Sequence, residues 1–265
     1  MAKTDDYSSI ADANRPNAGR IYDYLLGGKH NFEIDRQAAQ KILDVAPFIP
    51  QVMRLIRWFL GEACRRLVDQ GLDKFLDFAS GLPTQDHIHE VAPSGTKVIY
   101  SDIDPVTVEY AKELLKQNPN TRYLQCHAAK PEAILESDAV TELFGNERKI
   151  AIGFNGICYF LTDAEVDHAM TVLHQWAADG SKLFLTDAAG GELTEKAEAI
   201  FEIYKNIQPM YIRTKEKMAD LVKPWRIVEP SFQPLEEWLD LENKITALEA
   251  KEWGGGGFYG LFLEK

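Results

Sequence analysis

The sequence predicts an α/β protein: a mostly parallel sheet with helices on both faces, preceded by an N-terminal helical cap. Three observations carry that prediction. From Leu72 onward short apolar runs alternate with helical patterns, as in a parallel sheet whose crossovers cover both faces. The stretch Phe75-Leu-Asp-Phe-Ala-Ser-Gly-Leu-Pro-Thr84 joins a strand-length apolar run to a small-residue turn and a helix start, a place where backbone N–H groups can face a ligand. A second strand, Lys97 to Ser101, ends at Asp102. An acid about 20 to 25 residues past such a turn is where a nucleotide-binding unit grips ribose hydroxyls. Together these pieces point to a ligand with a ribose.

The elements follow in order. Met1 to Asn14 is polar and reads as loose chain. Arg15-Pro-Asn17 is a turn, followed by a short apolar helix from Arg20, a Gly27-Gly28 break and a polar loop with Lys29, His30 and Asn31. Asp35 and Arg36 open a second helix that runs to Val45 and stops before Pro47. A helical hairpin with a glycine C-cap explains this segment; so does a lid whose polar residues touch a ligand. Pro50 starts a long helix that Gly71 ends, with Val52, Leu55, Ile56, Phe59, Leu60, Ala63 and Leu67 on one face. That helix is core packing.

Strand one is Phe75 to Phe78, and Thr84 caps a helix over Gln85 to Ala92. Strand two is Lys97 to Ser101. Asp104-Pro105 is an N-cap with proline at N1, so Pro105 to Gln117 is helix. Arg122 to Cys126 is strand three, Pro131 to Phe144 a helix, and Lys149 to Phe154 strand four. Thr162 with Glu165 makes a capping box for a helix to Ala178. Strand five, Lys182 to Thr186, ends at Asp187. Right-handed crossovers then put the ligand at the carboxyl ends of the strands, where strand order reverses. Beyond it, Glu192 to Gln208 reads as helix, Thr214 caps a helix to Val222, Trp225 to Val228 is a strand, and Leu235 to Trp253 an acidic helix ended by Gly254 to Gly257. Phe258 to Lys265 closes the chain as a strand. The division expected is residues 1–71 as helical cap and 72–265 as sheet domain.

Composition narrows the function. The formal net charge is −12 with no basic stripe, which argues against a nucleic-acid partner; Arg65-Arg66 reads as a solvated helix face. Cys64, Cys126 and Cys158 are scattered in apolar stretches, the pattern of reduced thiols in a cytoplasm rather than of a zinc site or disulfide frame. The polar opening is no signal peptide. The longest apolar run, Ala151 to Leu161, is too short to span a bilayer, so no membrane partner is expected.

The segment Arg20-x-Tyr22-Asp23-Tyr24-x-Leu26-Gly27-Gly28-Lys29-x-Asn31-Phe32, then Asp35-Arg36, resembles the opening signature of a bacterial methyltransferase family first catalogued as a domain of unknown function. Gly81-Leu-Pro-Thr84, His89-Glu-Val-Ala92 and Pro131-Glu-Ala-Ile-Leu135 are similar to its pattern too. Asp77 to Thr84, Asp102-Ile-Asp-Pro105 and the five alternating strands look like a class I S-adenosylmethionine-dependent methyltransferase. The resemblance implies a Rossmann-like seven-stranded sheet, S-adenosylmethionine as cofactor and methyl transfer to a small-molecule acceptor. Carried onto this chain, it places Ala79, Ser80 and Gly81 against the methionine part, where only small residues let the backbone approach. It gives Asp102 the ribose, Ile103 the adenine face, and Asn155 with Gly156 the border of the methionine and the methyl. Tyr22, Gly28 and Asn31 come from the lid, with Arg20 as candidate for the methionine carboxylate. The chain departs from relatives in three places: Ala79 stands for glycine, His127 for an acid that holds the adenine amino group, and Asp187 near the end of strand five where histidine is common.

Methyl transfer from a sulfonium is a direct displacement that needs alignment and exclusion of water. A general base is needed only for an acceptor that carries a proton. Tyr159, Asp187 and His127 at strand ends could line an acceptor pocket; packing or capping explains each as well, and Tyr159 and Asp187 are the catalytic candidates retained. His87 and His89 are two apart on a helix and share no face, so no metal is expected. Two rivals stand beside the enzyme: a non-catalytic cofactor-binding sensor or partner protein, and a nucleotide-binding oxidoreductase, whose Gly-x-Gly-x-x-Gly is missing. The sequence leaves a homodimer open.

Overall fold

The structure, a computed structural model, describes residues 14–83, 86–188, 195–241 and 257–265. The expected loose segment before Asn14, the Thr84 cap with Gln85, the start of the helix expected from Glu192 and most of the acidic helix beyond Leu241 lie outside them.

Three helices come first: α1 (Ala18–Leu25), α2 (Glu33–Val45) and α3 (Ile49–Asp69). Asn17 caps α1 by accepting the Arg20 N–H. The apolar stripe of α3 is buried as its spacing requires, from Val52 to Leu67. Its central Phe59 meets Phe184, Trp238 and Phe262 edge to face or tilted, the arrangement aromatic rings prefer.

The sheet then builds as β1 (Lys74–Asp77), β2 (Lys97–Asp102), β3 (Thr121–Gln125), β4 (Ala151–Phe154), β5 (Lys182–Ala188), β6 (Arg226–Pro234) and β7 (Phe258–Glu264). The seven strands lie in the order β3-β2-β1-β4-β5-β7-β6. Strands β1 to β5 are parallel to their neighbours; β7 runs antiparallel to β5 and β6. This is the Rossmann-like, mostly parallel sheet with helices that the sequence implies. Order reverses at β1, flanked by β2 and β4, so a crevice opens beyond the carboxyl ends there.

The helices between strands are α4 (Ile88–Val91), α5 (Pro105–Leu115), α6 (Glu132–Leu135), α7 (Asp138–Phe144), α8 (Asp163–Trp176), α9 (Glu195–Lys205), α10 (Lys215–Leu221) and α11 (Leu235–Trp238). Asp104 caps α5 through the Val106 N–H, with Pro105 in the first turn. Thr162 and Glu165 form the expected capping box of α8. Four expectations are corrected. Among the described residues the helix after the first turn is the single turn α4, with buried His87 at its N-cap, rather than a helix reaching Ala92. The helix expected from Pro131 to Phe144 breaks in two, because Ser137 leaves the helical conformation and starts α7. Strand β5 continues through Asp187, which is therefore inside the strand. Strand β6 runs on to Pro234 with an irregularity between Val228 and Gln233, a form suited to an edge.

The core has two halves, one between the sheet and α1–α3, the other between the sheet and α6–α8 with α10. All three cysteines are buried free thiols. Among the described residues no helix is long and apolar enough to cross a membrane.

Candidate functional site

A cavity of about 690 Å³ lies over the strand ends of β1, β2, β3 and β4 and is roofed by the N-terminal helices and α9. Its polar end starts at Asp77, the last residue of β1. Asp77 faces Gly153 across the β1–β4 ladder. A Cβ on Gly153 would lie 2.4 Å from Asp77 Oδ1 and 2.8 Å from the Phe184 ring, so glycine there makes room for the carboxylate. Asp77 Oδ1 is buried without a hydrogen-bond partner. Burial pushes the carboxyl up to about 7, against the pull of Ser80 and the Arg57 charge.

The chain then turns sharply: φ is +53° at Ala79 and +65° at Gly81. Only glycine takes this conformation freely, and alanine at the first position costs about 1–2 kcal/mol. The Ser80 N–H donates to the Ser101 carbonyl at 2.8 Å, and the Tyr123 hydroxyl donates to the Gly81 carbonyl at 2.6 Å. The turn also presents its own donor: the Gly81 N–H reaches Asp102 Oδ2 at 3.1 Å. Asp102 Oδ1 accepts the Asp104 N–H at 2.9 Å. Two main-chain donors, one per oxygen, thus fix the Asp102 carboxylate at the tip of β2, and each oxygen keeps capacity to accept again. Burial pushes this group up to about 6, with the Asp104 charge acting the same way and the backbone donors opposing it.

Beyond β4, Asn155 donates to the Ile56 carbonyl of α3 at 3.1 Å and accepts from the Thr186 hydroxyl at 3.1 Å. The same hydroxyl oxygen accepts the Gly156 N–H at 2.8 Å. Gly156 has φ of +76°, and a Cβ on it would stand 3.5 Å from the Tyr159 hydroxyl. After β3, His127 lines the cavity with Ile103, its Nδ1 accepting the Ala129 N–H at 3.1 Å.

The roof is built by the loop between α1 and α2. The Asp23 carboxylate accepts the His30 N–H and the Asn31 amide, each at 2.9 Å. It has space because a Cβ on Gly28 would lie 2.1 Å from Asp23 Oδ1. Tyr22 donates to the Met53 carbonyl at 3.1 Å. From α3, the half-buried Arg57 lines the cavity with its Cζ 5.5 Å from the Tyr22 ring centre.

The far end is apolar and aromatic: Tyr159, Phe160, Ile200, Phe201, Tyr204 and Met210. Tyr159 and Phe160 sit on the 3-10 turn Cys158–Phe160, and Phe160 meets Tyr204 of α9 at 5.7 Å between ring centres. Burial pushes the Tyr159 hydroxyl well above 10, so it can donate a hydrogen bond but is no base near neutral pH.

Of the residues the sequence singles out, the cavity gathers Tyr22, Gly28, Ala79, Ser80, Gly81, Asp102, Ile103, His127, Asn155, Gly156 and Tyr159. Three lie elsewhere. Arg20 is buried outside the lining, its Nε on Asp35 at 2.8 Å and Nη1 toward Asp104 at 3.5 Å; it fastens the N-cap of α5 to α2. Asn31 braces the roof through Asp23. Asp187 is wholly buried within β5, beside Tyr259 and Arg213, and burial raises its carboxyl to about 7. Sequence reading missed Arg57 and the aromatic face of α9. Arg57 carries no local signal; α9 offers Phe201 and Tyr204 three residues apart, a helical stripe that reads equally well as core.

The chain is similar to known proteins along nearly its whole length. The model of a family described as S-adenosyl methyltransferase matches residues 4–259. No curated protein matches. Among solved structures, a candidate methyltransferase from Thermobifida fusca YX is similar at 28% identity and a TM-score of 0.84, covering 97% of each chain. A DUF574 family protein from Streptomyces avermitilis is similar at 24% identity and a TM-score of 0.85, covering 96% of this chain and 99% of that one. Geranyl diphosphate C-methyltransferase from Streptomyces coelicolor, crystallised with Mg2+, a thiolodiphosphate analogue and S-adenosyl-L-homocysteine, shares the fold at 11% identity and a TM-score of 0.58, over 100% and 99% of the chains.

Proposed function

Since the chain belongs to the S-adenosyl methyltransferase family and is a methyltransferase that uses S-adenosylmethionine, we propose that its acceptor is a small molecule, held at the aromatic end of the cavity. The observation that carries this reading is the continuity of the cavity from Asp102 to Phe201 and Tyr204. One continuous cleft of about 690 Å³ has the size of a cofactor with a compact partner. The Streptomyces enzyme of the same fold, crystallised with a thiolodiphosphate analogue, is a precedent for a small acceptor.

The residues fit the cofactor on their own geometry. Asp102, fixed by two main-chain donors, is ready to accept from ribose hydroxyls, as a carboxylate on a strand tip does. Ile103 would cover one adenine face, with His127 along its edge. The positive-φ turn at Ala79 to Gly81 leaves backbone open for the methionine part. The unpartnered, buried Asp77 oxygen suits a cationic neighbour, the ammonium or the sulfonium, which would restore its charge. Asn155 and Gly156 stand between the two ends.

When bound, the cofactor supplies a methyl group on positive sulfur, open to direct displacement. This chain's part is alignment and dryness: the Asn155 bonds to α3 and β5 set the floor, and the aromatic wall excludes water. Tyr159 is proposed to orient the acceptor as a hydrogen-bond donor. Asp187, away from the lining, is proposed to support β5 rather than to act in catalysis. Residues 1–71 are proposed to act as a cap over the cofactor, and the Arg20–Phe32 signature as its roof, with Gly28 and Asn31 shaping the loop. Calorimetric titration tests the reading. Micromolar S-adenosylhomocysteine binding that Asp102→Ala weakens on the order of 100-fold is the expected result; equal binding by parent and variant would remove the ribose assignment.

A further inference from the structure

The cofactor reading leaves Arg57 in the cavity without a task. Arg57 points from α3 into the polar end, and among the described residues no carboxylate pairs with it at ion-pair distance. Its Nε is buried and has no hydrogen-bond partner. Its Nη1 lies 2.7 Å from His87 Nε2, but that nitrogen is also 2.6 Å from the Leu82 carbonyl. Burial and the neighbouring guanidinium push His87 well below its usual range. A neutral ring nitrogen either donates to the carbonyl or accepts from the guanidinium. One of the two contacts is therefore unsatisfied. The remaining neighbour is Tyr22, whose hydroxyl is in hydrogen-bond contact with the guanidinium and whose ring makes a cation–π contact at 5.5 Å; the Nε–H still has no partner.

A planar group with five donors, half-buried and left with unmet donors, suits a bidentate anion. Lys29 and Arg54 also border the cavity but are exposed, and a solvated cation gains little from an ion pair. Arg57 also shares its end of the cavity with Asp77, near enough for its charge to act on that carboxyl. A cation and an anion side by side match the two charges of an α-amino acid.

We propose that Arg57 is the residue that holds the α-carboxylate of the cofactor's methionine end, a task for which the family resemblance makes Arg20 the candidate. Arg57 and Asp77 together then read the amino-acid zwitterion, while Arg20 stays in its structural pairing with Asp35 and Asp104. The inference rests on the cofactor reading above.

The test compares S-adenosylmethionine with its decarboxylated form, which keeps the sulfonium, the adenosine and an amine but lacks the carboxylate. Wild-type protein is expected to bind the decarboxylated form about 30-fold more weakly, the loss typical of removing one partner from a buried charged pair. In Arg57→Gln that difference shrinks to under about threefold, since only the intact ligand weakens. Arg57→Lys, with charge but no fork, falls between. 5′-Methylthioadenosine, without the amino-acid end, binds all three proteins alike and reports that the variants are folded. Equal affinity of the two donors for the wild-type protein overturns the assignment, and so does an Arg57→Gln protein that still discriminates. A wild-type protein that binds neither donor is a separate failure, of the cofactor reading and with it this inference.

Discussion

The two ends of the cavity are built from different materials. The end proposed for the cofactor consists of strand tips whose backbone is committed: Gly81 and Asp104 N–H groups on one carboxylate, Ser80 on Ser101, Asn155 on Ile56. The end proposed for the acceptor is a wall of side chains on α9 and the 3-10 turn, held by ring contacts such as Phe160 with Tyr204. Hydrogen-bonded backbone fixes atoms to fractions of an ångström; apolar packing tolerates exchange of one ring or branched chain for another. One end is thus suited to a constant ligand and the other to a particular one, and substitutions should separate them.

The largest effect is expected at the tip of β2. Asp102→Ala removes an acceptor that two ribose hydroxyls would share and frees two main-chain donors. Charged hydrogen bonds contribute about 1.5–3 kcal/mol each, so S-adenosylhomocysteine should weaken on the order of 100-fold by titration calorimetry. Asp102→Asn should recover part of this. If Tyr204→Ala costs as much affinity, the cavity is not two-ended in the sense described.

Next is the contact that makes room for Asp77. Gly153→Ala puts a methyl 2.4 Å from Asp77 Oδ1 and 2.8 Å from Phe184. Overpacking of this kind costs about 1–3 kcal/mol, read as a lower melting temperature, and it should weaken cofactor binding as well. Loss of stability with unchanged binding would detach Asp77 from the cofactor.

A smaller effect is expected with pH. Asp77 is raised to about 7 and Asp102 to about 6 in the free protein. A cationic ligand needs Asp77 charged, so affinity should fall as pH drops below about 7, approaching tenfold per unit, with a second loss below about 6. The surroundings do not blur this. Cys64 is pushed up to about 12, Tyr100 well above 10 and His87 well below 6.5, so all three stay neutral through the range. Asp77→Asn should remove the upper step. The same shift acts oppositely on the ligand-free fold. Its proton is held more tightly folded than unfolded, so that stability declines as pH rises from the ordinary 3.8 toward 7.

What the sequence disclosed follows the same division. Local chemistry was legible: the Asp104-Pro105 cap, the Thr162–Glu165 box, the small-residue turn and the acid on β2 all stand where their residues imply. Long-range pairing was not. Arg20 lies in a polar loop-flanking signature that suggests a ligand, yet Asp35 and Asp104, fifteen and eighty-four residues away, claim it. Arg57 sits beside an apolar stripe with Arg54, Arg65 and Arg66 nearby on α3, and nothing local marks it as the one turned inward. The sequence pattern ends strand five at Asp187; the antiparallel partner β7 extends that strand past it. These are facts of tertiary contact, which one-dimensional periodicity does not carry.

The smallest effect on the cofactor, and the sharpest test of the division, comes from the aromatic wall. Phe201→Ala and Tyr204→Ala remove rings that line the cavity on α9 but touch none of the groups that fix Asp102 or the turn at Gly81. Sites without shared partners behave additively within about 0.5 kcal/mol. S-adenosylhomocysteine should therefore keep its affinity within about twofold in both variants. Their consequence belongs to the acceptor: once one is found by turnover of a labelled donor with metabolite fractions, its KM should rise with each ring removed, while Tyr159→Phe, which keeps the ring and loses only the hydroxyl, should lower kcat more than it raises KM. A Tyr159→Phe enzyme with unchanged kcat would make that residue part of the wall and leave alignment to the backbone of Asn155 and Gly156.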